Sequence, residues 1–196
     1  MVERNRASTI VALSGSPRLQ SRTVTLVTRI AKALAERVPA EIRSIHVAEA
    51  APHLLAALSR DQVSPTGEAL LRTIETADIL IVGTPVYRGS YTGALKHIFD
   101  LIDREALAGR PALLAATGGT PLHGLVGEHQ LRPLLGFFRA LTAPTFVFAT
   151  EAEFSGVVLS DALEQRIAQA VDETVALYGA SLAIRHPIDL RIAASA

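Results

Sequence analysis

Cysteine is absent from this chain of 196 residues. That removes disulfides, thiolate nucleophiles, iron–sulfur clusters and cysteine-based zinc sites. A redox dithiol is excluded too, so any redox chemistry has to come from a bound cofactor. Net charge is also lacking: nineteen Lys plus Arg balance nineteen Asp plus Glu. There is no run of five like charges and no basic stripe, which argues against a nucleic-acid partner. No apolar run approaches the ~18 residues of a membrane span. The charged start Met1-Val2-Glu3-Arg4-Asn5-Arg6 is followed by no signal-peptide cleavage pattern. A soluble cytoplasmic protein with no membrane and no nucleic-acid partner is expected. The six histidines, His46, His53, His97, His123, His129 and His186, include no His-x-His or His-x-x-x-His pair, so no metal site is expected. A Gly-x-Ser-x-Gly elbow is missing, which counts against Ser-His-Asp hydrolysis.

What is present is apolar and periodic. Hydrophobic residues make up 49% of the chain, and a chain of this length buries roughly 70% of its unfolded surface as one domain. Residues 9–13 form a short apolar run that ends at Ser14-Gly15-Ser16-Pro17, a buried strand and its turn. From Ser21 the period becomes helical, through Val24, Val27, Ile30, Ala31, Leu34 and Val38, until Pro39. Further strands are predicted over 42–47, 79–82, 112–116 and 145–149. Helices are predicted over 52–58, 68–76, 93–103, 122–141 and 162–178. Residues 1–180 read as a single domain, and 181–196, without clear periodicity, read as a C-terminal arm. Strand–helix alternation repeated five times, with strands apolar on both faces, predicts a parallel sheet covered on both sides: a three-layer α/β/α sandwich. Ligands of such sheets bind beyond the carboxyl ends of the strands.

Three loops leaving those ends carry unusual chemistry. The first, Ser14-Gly15-Ser16-Pro17-Arg18-Leu19-Gln20-Ser21-Arg22-Thr23, enters a helix N-terminus, where free N–H groups and the dipole favour an anion. Ser16, Ser21 and Thr23 add hydroxyls; Arg18 and Arg22 add forked cationic donors. The loop lacks the lysine of a Walker loop and the Gly-x-G-x-x-Gly pattern, so it suits a monophosphate. The second, from Gly83 to Gly93, is aromatic and glycine-punctuated, and fits a flat heterocycle through Pro85, Val86 and Tyr87. The third, Thr117-Gly118-Gly119-Thr120, brings bare backbone to the same edge. Each loop alone also reads as an ordinary turn.

Together, in this order and spacing, the three resemble the NADPH-dependent FMN reductase family, which has the flavodoxin-like fold. The matching pieces are Gly15-Ser16-Pro17-Arg18 with Ser21, Thr84-Pro85-Val86-Tyr87 continued by Tyr91-Thr92-Gly93-Ala94-Leu95-Lys96, and Thr117-Gly118-Gly119. The likeness covers about residues 9 to 180. The stretch Glu128-His129-Gln130-Leu131-Arg132-Pro133-Leu134 is most similar to the flavin reductases of two-component sulfonate monooxygenase systems. The resemblance implies a five-stranded parallel sheet of order 2-1-3-4-5. It implies that Ser14, Ser16, Arg18, Ser21, Arg22 and Thr23 surround the FMN phosphate, that Pro85, Val86, Tyr87 and Arg88 line one edge of the isoalloxazine, and that Thr117, Gly118 and Gly119 meet its pyrimidine side. It implies hydride transfer from NADPH to FMN, release of the reduced flavin to a partner monooxygenase, and a homodimer or homotetramer. NADPH over NADH rests on the resemblance alone. Two other readings stay open: a quinone, azo or chromate reductase that retains FMN, and a flavodoxin-type electron carrier. Carriers of that type are usually acidic, and the zero net charge counts against one. Hydride transfer itself requires no general acid or base, so no catalytic side chain is assigned.

The predicted helix over 122–141 carries a phase slip. Leu122, Leu125 and Val126 set one apolar phase, and Leu131, Leu134, Leu135, Phe138 and Leu141 set another. Pro133 cannot donate to the carbonyl of His129 and crowds it. A kink or single π-bulge within about one turn of His129 accommodates both facts. The resembled subgroup carries a comparable insertion, which places the distortion near an oligomer contact and the flavin site.

Overall fold

A computed structural model of the chain describes residues 7–185. Four strands, β1 (Ser8–Ser14), β2 (Ala40–His46), β3 (Ile79–Pro85) and β4 (Pro111–Gly118), lie parallel in the order β2-β1-β3-β4. The fifth position is filled twice. β5 (Leu141–Thr142) pairs with the start of β4, and β6 (Val147–Thr150) pairs with its end, both parallel. The order 2-1-3-4-5 is thus observed, with the edge strand interrupted over 143–146. The expected strand over 145–149 captures only the second piece. Leu141, read as the end of a helix, belongs to the first: its N–H donates to Arg110 O at 2.8 Å.

Alternation along the strands feeds two apolar layers. Ile10 and Ala12 of β1, with Ile79 and Ile81 of β3, pack against α1 (Arg22–Ala35) and α6 (Asp161–Arg185). Val11, Leu13, Leu80 and Val82 face the other side. There they meet α2 (Val47–Leu54), α3 (Pro65–Glu75), α4 (Gly93–Leu101) and α5 (Arg132–Phe137). Gly83 lets α1 approach closely, since a Cβ there would lie 2.1 Å from a methyl of Val27. This is the flavodoxin-like three-layer architecture.

Differences from the expected boundaries have local causes. α2 starts directly after β2 because Val47, Ala50 and Leu54 already form a buried face, with Pro52 inside the helix rather than opening it. α6 continues past Tyr178 to Arg185. Tyr178 Oη lies 2.5 Å from Ser8 Oγ, and the buried Ser181 donates its hydroxyl to Gly109 O at 2.8 Å. The start of the expected arm is therefore helical and docked; residues 186–196 lie outside those described. A short hairpin, β7 (Phe154–Ser155) with β8 (Val158–Leu159), was not expected.

The stretch expected as one long helix is a 3-10 turn (Pro121–Leu125), a π turn (Gly127–Leu131) and α5 in succession. The Arg132 N–H donates to Gly127 O, five residues back. His129 sits in the middle of the π turn, where the phase slip and Pro133 locate the distortion.

Candidate functional site: a cleft at the carboxyl edge of the sheet

Hydrogen bonds stitch the three loops together at the carboxyl ends of β1, β3 and β4. Gly15 N donates to Gly83 O at 2.7 Å, joining the first loop to β3. The Thr92 hydroxyl caps α4 by accepting from Leu95 N (3.2 Å) and donates to Gly15 O (2.8 Å). Val86 N donates to Thr117 O at 2.8 Å, which ties the second loop to the third. The hydroxyls of Thr23 and Thr117, 94 residues apart, lie at 2.7 Å and are buried.

These bonds enclose a cleft of about 450 Å³. Its walls are Ser16, Arg18, Gln20, Ser21, Arg22, Thr23, Pro85, Val86, Tyr87, Thr117, Gly118 and Gly119. At one end Ser21 is the N-cap of α1, its Oγ accepting from Val24 N at 3.2 Å. The N–H groups of Arg22 and Thr23, in the first helical turn, have no acceptor within the helix. Ser16 Oγ accepts from Arg18 N (3.2 Å) and donates to Arg18 O (2.9 Å), which folds the loop over the helix start. Arg18 is exposed and makes no ion pair among the described residues. The Arg22 guanidinium pairs with Glu151, which follows β6.

At the other end, Tyr87 and Ser90 exchange backbone bonds (2.9 and 3.1 Å) around Arg88 (φ 55°) and Gly89 (φ 77°), a primed turn with two left-handed residues. It presents Tyr87, 46% exposed, to the cleft. Gly118 is packed from below, since a Cβ there would lie 2.8 Å from the Phe148 ring, whereas a Cβ on Gly119 would meet open space.

Eleven of the thirteen residues singled out from sequence line this one cleft. The other two do not line it. Ser14 is fully buried under the loop, where its Oγ accepts from Ser16 N at 3.4 Å. Arg88 is an exposed turn residue beside the cleft, placed by its backbone conformation. Gln20 also lines the cleft, and nothing in its type separates it in the sequence from other polar loop residues. A smaller groove of about 170 Å³, lined in part by Gly89, His123, His129 and Gln130, adjoins the Tyr87–Ser90 turn. Ser90 Oγ and Gln130 Oε1 are 3.3 Å apart, which connects the π turn to the Tyr87–Ser90 turn. Among the described residues no group of three or more metal-ligating side chains exists, and no helix is long and apolar enough to cross a membrane.

The residues present fit a flavin mononucleotide. Hydroxyls, helix N–H groups and two arginines suit a phosphate dianion. A proline, a valine and a tyrosine opposite bare Gly118-Gly119 backbone suit a flat ring with polar edges. Fold and cleft together define a mononucleotide-binding protein of the flavodoxin-like class.

Comparison with known proteins narrows that class. Residues 8–154 match the family described as NADPH-dependent FMN reductase. The chain is 48% identical over 179 residues to an NADH-dependent FMN reductase, SfnF, of Pseudomonas fluorescens, covering 91% of this chain and 96% of that protein. It is 46% identical to an FMN reductase (NADPH) of Pseudomonas aeruginosa, covering 87% and 92%. Among solved structures, the apo form of an NADH:FMN oxidoreductase, EMOB, superimposes with a TM-score of 0.78 at 33% identity, covering 86% of this chain and 89% of that one. The chain belongs to the NADPH-dependent FMN reductase family, and it is an oxidoreductase that uses FMN and a nicotinamide nucleotide.

Proposed function

We propose that the chain reduces FMN in the cleft between β1, β3 and β4 and hands the reduced flavin to a separate monooxygenase, in the assimilation of sulfonate sulfur. The carrying observation is the contrast between the two ends of the cleft. The phosphate end converges on the α1 N-terminus with Ser16, Ser21 and Thr23, while the ring end is bounded by a half-exposed tyrosine and an open Gly119. Bound FMN supplies the hydride acceptor. The chain's own residues anchor, orient and expose it.

In this reading the Arg22 and Thr23 N–H groups and the Ser16 and Ser21 hydroxyls bind the phosphate. Pro85 and Val86 hold the plane of the ring, and the Gly118 and Gly119 backbone faces its polar edge. Preorganised donors at that edge favour the additional negative charge of the reduced ring. One face must stay open for the nicotinamide, because hydride transfer needs the rings stacked with reacting atoms about 3–3.5 Å apart. The same opening permits exchange of the flavin. Relatives named as FMN reductases support reduction of the flavin itself, and delivery to an oxygenase rests on the open ring end and the sequence resemblance. Leu122 and Leu125, exposed along the smaller groove, support a homodimer or homotetramer.

Anaerobic titration of the purified protein with FMN and then NADPH or NADH tests the reading. Bleaching of the flavin, together with separation of flavin from protein on gel filtration, is expected. Absence of bleaching with both nucleotides overturns the reductase; FMN that stays bound through many turnovers overturns delivery.

A further inference from the structure

The guanidinium of Arg22 is shared between two places. Arg22 is the first residue of α1 and lines the phosphate end of the cleft, yet its Nη2 is engaged by Glu151 Oε1. Glu151 comes from far along the chain. It follows β6, whose Thr150 lies beside Gly118 of β4. Its turn is held by a capping box in which Glu153 Oε2 accepts from Thr150 N (2.9 Å) and Thr150 Oγ1 (3.2 Å). Glu153 is in turn paired with Arg166 of α6 at 3.1 Å. The Glu151 carboxylate is thus fixed through its backbone while its side chain stays 70% exposed.

We propose that Glu151 is a built-in competitor for the FMN phosphate: it engages one nitrogen of the Arg22 guanidinium that the phosphate would use, and so weakens flavin binding and speeds flavin release. This rests on the assignment of FMN to the cleft. The physical case is simple. A phosphate dianion gains most from an arginine whose donors are unengaged, and a carboxylate already on that fork must be displaced or must share it. It also adds like-charge repulsion at a site outside the hydrophobic interior, where exposed pairs carry modest energies that salt screens. A protein that passes its flavin on gains from such loosening; one that keeps its flavin does not.

Flavin binding, followed by fluorescence quenching of wild type, Glu151→Gln and Glu164→Gln at low ionic strength, tests the proposal. Glu164 of α6 pairs with Arg29 of α1, away from the cleft, and serves as the control for net charge. Glu151→Gln is expected to bind FMN about twofold to fivefold more tightly, with a correspondingly slower dissociation rate, an effect that fades in high salt. Riboflavin, which lacks the phosphate, is expected to bind both proteins equally. Weaker or unchanged FMN binding in Glu151→Gln overturns the proposal, the former because it makes Glu151 a positioning residue for Arg22. So does an equal gain in Glu164→Gln, or an equal gain for riboflavin. Failure of the wild-type protein to bind FMN would instead defeat the cleft assignment itself.

Discussion

Ser21 performs two tasks with one oxygen. It caps α1 by accepting from Val24 N, and it stands in the wall of the cleft at the helix start. The two tasks separate by substitution. Ser21→Ala removes the cap and is expected to lower the unfolding free energy by about 1 kcal/mol, read from a denaturant titration, along with weaker FMN binding. Ser21→Asp retains a good cap, so its stability is expected to stay within about 0.5 kcal/mol of wild type. Its carboxylate would face the phosphate, and FMN affinity is expected to fall at least about tenfold. Residues of this kind were legible in the sequence, because a cap and a hydroxyl-rich loop are local patterns. Glu151 was not: it meets Arg22 across 129 positions of chain, and only the pairing of β6 with β4 brings them together.

At the scale of elements, the stretch from Pro121 to Phe137 shows how far periodicity reaches. The slip in apolar phase and Pro133 located the π turn, but the expected helix ran on to 141. The chain leaves the helix earlier because Leu141 and Ala143 donate to Arg110 and Ala112 of the sheet edge. Arg132 secures the crossover: it donates to Thr142 Oγ1 (2.8 Å), Ala143 O (2.9 Å) and Pro144 O (2.9 Å) while paired with Glu128. No window of neighbouring residues encodes such bonds. Gly127, which opens the π turn, lies against the Phe146 ring, and a Cβ there would come within 2.3 Å of it. Gly127→Ala is therefore expected to cost about 1–3 kcal/mol by overpacking. Phe146→Leu in the same background is expected to restore part of that loss. Thermal unfolding of the single and double variants measures the coupling, and strictly additive effects would contradict it.

Across the whole molecule, ion pairs join elements that the sheet does not. Arg60 forks onto Glu68 (2.9 Å) and Glu75 of α3 and donates to Leu101 O at the end of α4 (2.9 Å). The hydrogen bond from Arg60 holds the Glu68 carboxyl below its usual range, and the one from Arg132 does the same for Glu128. Carboxyls depressed in the folded state bind fewer protons there than in the unfolded chain. The stability they give is full above the ordinary carboxylate value and is lost as pH falls through the folded one. Unfolding stability is expected to decline below about pH 4.5. A Glu68→Gln, Glu128→Gln double variant is expected to be less stable than wild type at neutral pH and to converge with it in acid. The five-fold strand–helix alternation was visible from the outset because buried strands announce themselves as apolar runs. The Phe154–Leu159 hairpin and the interruption of the edge strand were not, since each is set by what packs beside it.

Because every strand of the main sheet runs the same way, β1 enters at Ser8 on the rim opposite the one where it ends at Ser14 and leads into the first loop of the cleft. Tyr178 and Ser181 of the last helix fasten down on that rear rim as well, against Ser8 and Gly109. The molecule thus has a working rim and a mounting rim. A surface anchor or fluorescent reporter attached just ahead of Ser8 would sit behind the sheet and leave nucleotide traffic at the front unobstructed.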